Sequence, residues 1–325
     1  MKSAALLLLA ASLAVFGQPA PSVADRVVSP TVEGGRISFR IYAPEAKSVT
    51  LNGDWMKAAD KVALTKGADG VWSATVGPLE PQVYLYSFNV DGMNIADPVN
   101  PRMKLRARTS ASLVEVPGSE LWQLRDVPHG KVEMLTHRSK ALNGAERQVF
   151  VYTPPGYSKS KAAYPVLYLF HGSNDVAAGW TWTGNAHLIL DNLIAEAKAV
   201  PMIIVMPWGH AVPFGSPREV QARNTELHER YVVDEVMPWI DAEYRVKKGP
   251  AQRAVVGLSM GGGQALNIGL RHLDKFSHVG VFSSGKPADF ETRYAAALSD
   301  AKQTNSRLKV FWIGVGTEEI GRAHV

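Results

Sequence analysis

Apolar and polar residues alternate through Arg36-Ile37-Ser38-Phe39-Arg40-Ile41-Tyr42, the period of a half-buried β-strand. Similar short runs follow at Ser48 to Leu51, Val71 to Val76 and Gln82 to Val90. They are punctuated by the turn signals Asn52-Gly53, Ala68-Asp69-Gly70, Gly77-Pro78 and Asp91-Gly92. Closely spaced strands of this kind predict a small all-β, immunoglobulin-like sandwich over residues 25–118. A proline-rich, polar stretch from Pro117 to Pro128 predicts a linker over 119–129. The period then changes. Apolar strand-like runs at Val151 to Thr153, Val166 to Phe170, Met202 to Met206, Ala254 to Val256, Val279 to Phe282 and Leu308 to Val315 alternate with helical patterns. Ala186 to Ala199 sets Leu190, Leu193, Ile194 and Ala197 on one helical face, and Thr225 to Tyr244 predicts a helix that Pro238 should kink. Such alternation predicts an α/β domain over 130–318, a mostly parallel sheet covered by helices on both faces.

The first residues set a different expectation. Lys2 precedes the apolar run Ala4 to Phe16, and small residues follow through Gly17, Ala20 and Ala24, the layout of a secretory signal peptide over 1–24. The run is shorter than the roughly 20 residues of a membrane-spanning helix. Export to the bacterial periplasm or medium is expected, with no membrane association after cleavage. Cysteine is absent, which removes disulfides, thiolate metal sites and a cysteine nucleophile. The net charge of +5 comes from scattered Lys and Arg without a basic block, so nucleic acid is not an expected partner. Neither a His-x-x-x-His pair nor a carboxylate cluster at ligand spacing stands out, and no metal or cofactor is expected.

The chemistry is expected at Gly257-Leu258-Ser259-Met260-Gly261, followed by Gly262 and Gly263, between a strand and a helix. This Gly-x-Ser-x-Gly spacing is the nucleophile elbow of the α/β-hydrolase fold. A serine in so sharp a turn is pushed out above the sheet in a strained backbone conformation. The helix behind it aims free N–H groups at the reaction centre, so Ser259 is the expected nucleophile and Met260 N–H one oxyanion donor. A second donor is expected where Val166 to Phe170 runs into His171-Gly172-Ser173. We assign it to Ser173, although Gly172 or Asn174 would serve the same geometry. His171 is expected to pin this turn, because the fold's chain order is serine, acid, histidine. Trp180 and Trp182 are candidates for stacking on an aromatic acyl group or a sugar, and His210, with Trp208 and Gly209, for lining the site. Asn224 and Thr225 are expected to cap a helix. Trp55 and Trp72 suit either the sandwich core or glycan binding.

These segments carry a resemblance. Val151-Tyr152-Thr153-Pro154-Pro155-Gly156-Tyr157, Pro165 to Gly172, Met206-Pro207, Gly257 to Gly263 and Phe311-Trp312-Ile313-Gly314-Val315-Gly316-Thr317 resemble carbohydrate esterase family 1. That group comprises feruloyl and acetyl xylan esterases and is similar to enterobactin esterases and S-formylglutathione hydrolases. Leu51-Asn52-Gly53-Asp54-Trp55 and Asp97-Pro98-Val99-Asn100-Pro101-Arg102 resemble the family 48 carbohydrate-binding, early-set domain. The resemblance implies acyl transfer to Ser259 and then to water, on feruloyl or acetyl esters of plant xylan. It therefore implies an ester-decorated polysaccharide or oligosaccharide as partner. It places the acid at Glu319, where aspartate is usual, and the histidine base on a later loop. After Ser259 the sequence offers only His272, His278 and His324, none of them placed for that role, so the base is expected to be missing. Glu319 to Val325 also reads as a translated short-read sequencing adaptor, a non-native tail with aspartate as the natural residue 319. The alternatives are a siderophore trilactone esterase and, should the natural chain end at Val325, a non-catalytic carbohydrate-binding protein.

Overall fold

The computed structural model describes residues 22–57 and 60–316. The expected signal peptide therefore falls almost wholly outside the described residues, and Glu319 and the expected non-native tail lie entirely outside them. Among the described residues no helix is long and apolar enough to cross a membrane.

The N-terminal unit is a sandwich of two antiparallel sheets. One orders the strands Thr31–Glu33, Arg36–Tyr42, Val71–Val76 and Thr65–Lys66. The other orders Val62–Ala63, Val49–Gly53, Gln82–Val90, Ala111–Val116 and Met103–Lys104. The alternation in Arg36–Tyr42 sends Ile37, Phe39 and Ile41 inward, where they meet Leu51, Tyr86, Phe88 and Val114. Asp91 (φ 48°) and Gly92 (φ 94°) close the hairpin in which Val90 pairs with Met93, a two-residue turn needing positive φ at both positions. Trp55 stacks on Phe39 at 5.7 Å, and Trp72 is buried with its indole N–H donated to the Ala43 carbonyl at 2.9 Å. Both belong to the core.

The second unit is built on a seven-stranded sheet ordered Lys131–Ser139, Ala145–Thr153, Ile203–Pro207, Val166–Phe170, Arg253–Leu258, His278–Phe282 and Val310–Gly314. Only Ala145–Thr153 runs against the rest. Ile203–Pro207 is buried along its whole length, as a strand covered on both faces must be. After Val166–Phe170 the chain places its next strand on one side and the following strand, Arg253–Leu258, on the other. The carboxyl ends of Val166–Phe170 and Arg253–Leu258 thus flank a topological switch point, where open α/β sheets bind ligands. The edge strand leaves Val310, Phe311, Trp312 and Ile313 partly exposed on both faces, with the Phe282 ring edge-on to Trp312 at 4.8 Å.

One expectation is corrected and two gain detail. The helix from Ala186 ends at Ala195, because Ala197 turns left-handed at φ 55°. The run from Asn224 to Glu243 is helical across Pro238: a π-helical turn over Tyr231–Val236 widens the ladder just before it, and Pro238 falls in the first turn of the α-segment Met237–Glu243, where its missing N–H is not needed. The linker is tied down. Asn192 Nδ2 donates to the carbonyls of Glu120, Leu121 and Gln123, Arg125 pairs with Glu196, and His129 bonds the buried Asp191 at 2.9 Å.

Candidate active site

Ser259 stands between the strand Arg253–Leu258 and the helix Met260–Arg271 at φ 54°, ψ −115°, a conformation that costs a non-glycine residue about 1–3 kcal/mol. Its surroundings hold it there. The Ser259 N–H donates to Phe282 O at 2.8 Å, and its carbonyl accepts from Gly263 N–H at 3.0 Å. A Cβ at Gly257 would lie 2.1 Å from Gly261 O, and one at Gly261 would lie 2.6 Å from the carbonyls of Phe170 and His171. Only glycine lets strand, turn and helix approach this closely. The serine side is left exposed to solvent. As the first three residues of the helix, Met260, Gly261 and Gly262 have N–H groups without intrahelical acceptors, at the positive end of the helix dipole.

The neighbouring turn converges on the same point. A Cβ at Gly172 would lie 3.6 Å from Ser259 Cβ. Asp175 N–H donates to Gly172 O at 3.2 Å, Asn174 sits at φ 54°, and the N–H groups of Ser173 and Asn174 meet no acceptor among the described residues. Met260 and Ser173 thus lie on two adjoining turns, each offering an unused N–H. An oxyanion between them is what such donors stabilise.

His171 fastens this turn. Its Nε2 accepts from Gly209 N–H at 2.8 Å, so the proton is on Nδ1, which donates to Gly172 O at 2.8 Å. Burial pushes its pKa down to about 4, keeping the ring neutral, and with both nitrogens committed it is no base for Ser259. The Gly209 carbonyl is held from the other side by Gln264 Nε2 at 2.8 Å and Asn224 Nδ2 at 3.3 Å. Asn224 also accepts from Val212 N–H at 3.2 Å, so it clamps the 208–212 loop, and the capping role expected of it is corrected.

The remaining candidates separate. Trp180 is half-buried and packs against the cluster containing Phe150, Leu169 and Val176, whereas Trp182 is 58% exposed. His210 is 4% exposed, lines a cleft, and is considered below. His272 bonds Glu229 at 2.8 Å at the far end of the helix behind Ser259, about 18 Å along its axis. His278 enters its strand at the opposite edge of the sheet and contacts Ser277. Among the described residues no histidine bonds Ser259. Sequence reasoning missed the support from the sandwich: Lys104 pairs with Asp175 at 3.1 Å, and Ala107 N–H donates to Asn174 O at 3.4 Å. No local pattern marks either residue.

Comparison with known proteins gives the same picture. Residues 139–323, more than half of the chain, match the Esterase family, and residues 27–103 match carbohydrate-binding module 48, the isoamylase N-terminal domain. An endo-1,4-beta-xylanase/feruloyl esterase of Xylanibacter ruminicola is 32% identical over 295 residues, covering 88% of this chain and 38% of that protein. An esterase of Mycobacterium tuberculosis is 36% identical over 172 residues, covering 52% of this chain and 35% of its own length. The chain thus spans less than two fifths of either relative. Among solved structures, an enterobactin esterase of Shigella flexneri superposes with a TM-score of 0.63 at 18% identity, over 89% of this chain and 82% of that one. A CE1 ferulic acid esterase of Anaeromyces mucronatus gives 0.50 at 22% identity, over 62% and 89%. At these identities the likeness is one of α/β-hydrolase fold.

Proposed function

Because the chain belongs to the Esterase family of carboxylic ester hydrolases, we propose that Ser259 is its nucleophile and that its substrates are feruloyl or acetyl esters on plant xylan. The observation that carries this reading is the strained, exposed Ser259 between two turns with unused N–H groups. Ser259 Oγ attacks the ester carbonyl, and the tetrahedral oxyanion is received by the N–H groups of Met260 and Ser173. The sugar alcohol leaves, and water releases the acid from the acyl-enzyme. The resemblance puts the acid at Glu319 and the histidine base on a later loop, both outside the described residues. The xylan assignment is supported by the name of the Xylanibacter ruminicola relative and by the family 48 module. The apolar run Ala4 to Phe16 behind Lys2 supports export from a bacterial cell.

The test compares turnover of methyl ferulate, acetylated xylan and a catechol trilactone by the wild-type chain and Ser259→Ala. Hydrolysis of the first two, lost about a thousandfold or more in Ser259→Ala, is the expected result. Undiminished turnover by Ser259→Ala refutes the nucleophile, and preference for the trilactone refutes the substrate. A second reading, a glycan-binding protein on an esterase scaffold, is supported by the match of residues 27–103 to carbohydrate-binding module 48. Glycan binding without detectable hydrolysis would establish it.

A further inference from the structure

We propose that the cleft where the sandwich meets the α/β unit is a binding site for one carbohydrate ring, seated against Trp208 and Phe214 and hydrogen-bonded by His210. The assignment rests on the xylan-ester reading above only in identifying the ring as part of the substrate's sugar chain. The cleft has a volume of about 430 Å³, in the range of small-ligand sites, and its lining includes Ala107, Arg147, Gln148, Trp208, His210 and Phe214. Its polar groups are unmet. His210 is 4% exposed, yet neither ring nitrogen has a partner. Arg147 donates through its two terminal nitrogens to the carbonyls of Glu146 at 2.7 Å and Ala211 at 3.2 Å, while its buried Nε meets nothing. In the closed core around His228 such groups are only a cost, but at an open cleft a bound ligand can meet them.

The unmet set has a definite character. Burial and the nearby Arg147 lower the His210 pKa, so its imidazole is neutral and offers one donor and one acceptor. Two hydroxyls, one accepting and one donating, match both. Phe214 meets the imidazole edge-on at 5.3 Å and Trp208 lies 6.4 Å from it, so apolar rings flank the polar centre. A sugar presents the same combination, C–H faces bounded by a rim of hydroxyls. An acetyl group would leave both the rings and His210 unanswered, whereas a feruloyl ring carries a phenolic hydroxyl of its own and is the competing occupant that the titration below tests. A small anion would answer Arg147 alone, beside the Glu146 carboxylate that also lines the cleft. The position suits the sugar side of an ester. Gly209, between Trp208 and His210, would bring a Cβ within 3.1 Å of Met260 Cε, next to Ser259. The sandwich contributes the opposite wall, with Ala107 in the lining and the Arg108 guanidinium 5.8 Å above Phe214.

The test is calorimetric titration of the full chain with ester-free xylotriose and arabinose-substituted xylotriose. Binding is expected, weakened about tenfold or more by His210→Leu and by Phe214→Ala. Phe214 is only part-buried, so its variant keeps the test valid should His210→Leu fail to fold. No binding up to about 10 mM sugar would overturn the proposal. Binding unmoved by Phe214→Ala would also overturn it, by placing the glycan elsewhere. Ferulate occupying the cleft, with the same sensitivity to Phe214→Ala, would make it an acyl site and overturn it too. Turnover of methyl ferulate on the same samples separates the two readings. A chain that binds sugar but cleaves no ester sinks the esterase function and leaves the cleft standing. One that cleaves methyl ferulate and binds no sugar sinks the cleft alone.

Discussion

His228 is fully buried between the helix Asn224–Arg230 and the end of the strand Val166–Phe170, edge-on to the Phe170 ring at 4.8 Å. Neither of its nitrogens has a partner, and burial, followed by the nearby His171, pushes its pKa down to about 3. Replacement by leucine keeps an apolar side chain in the site and removes two unmet polar atoms. Leaving such groups unpaired costs about 1–3 kcal/mol, whereas imperfect packing of the substitute costs about 1 kcal/mol, so His228→Leu should be neutral to stabilising at pH 7.5. The larger effect appears in acid. An unfolded histidine takes up a proton near pH 6.5, but folded His228 stays neutral until about pH 3. The contribution is complete above pH 6.5 and is lost as pH falls towards the folded value, at about 1.36 kcal/mol per unit. Between pH 7.5 and pH 5 the wild type should lose about 2 kcal/mol through His228, and about as much through His171, whose folded pKa is about 4. His228→Leu should lose only the second half. Urea unfolding at pH 7.5 and pH 5.0, with the m-value checked for constancy, measures the difference. Equal losses in wild type and variant would show that His228 is paired or already charged, and would refute the reasoning.

Two further predictions concern the ties around the site. His129 donates to Asp191 and Arg125 O, and its pKa is raised, chiefly by the Asp191 hydrogen bond. Its hold on the linker is complete below the unfolded pKa and weakens as pH rises through the folded value. Proteolysis within 119–129 should therefore be faster at pH 8.5 than at pH 6, and His129→Gln should remove that difference; an unchanged difference counts against the tie. Lys104→Met leaves Asp175 with only Val176 N–H at 2.9 Å and should cost about 1–2 kcal/mol, between the surface and buried limits for an ion pair. If Lys104 positions the turn that carries Ser173, kcat on methyl ferulate should fall with KM nearly unchanged, and Lys104→Arg should restore it. Destabilisation without a change in kcat would make the pair structural only.

Local features were legible without coordinates. The alternation of Arg36 to Tyr42, the Asp91-Gly92 hairpin, the apolar strand before Ser259 and the glycines around it all act within a few residues of themselves. Period-two burial, positive φ and steric exclusion of a Cβ are properties of short segments, so the two fold classes and the strained serine followed from the chain alone. The features that depend on partners far along the chain did not. His171 takes its tautomer from Gly209, and Asn224 left its expected cap for Gly209 and Val212. Pro238 was absorbed by a π-turn, the polar stretch before Gly130 docked on Asn192 and Asp191, and Lys104 reached Asp175 across the domain junction. A buried hydrogen bond or ion pair is fixed by which surfaces pack together, and a side chain's neighbours in space leave no period in the sequence. Strand, turn and strained serine were therefore decided locally. The clamp on the turn after Phe170, the buried histidines and the cleft beside them exist only because distant segments were brought together by the burial of a common core.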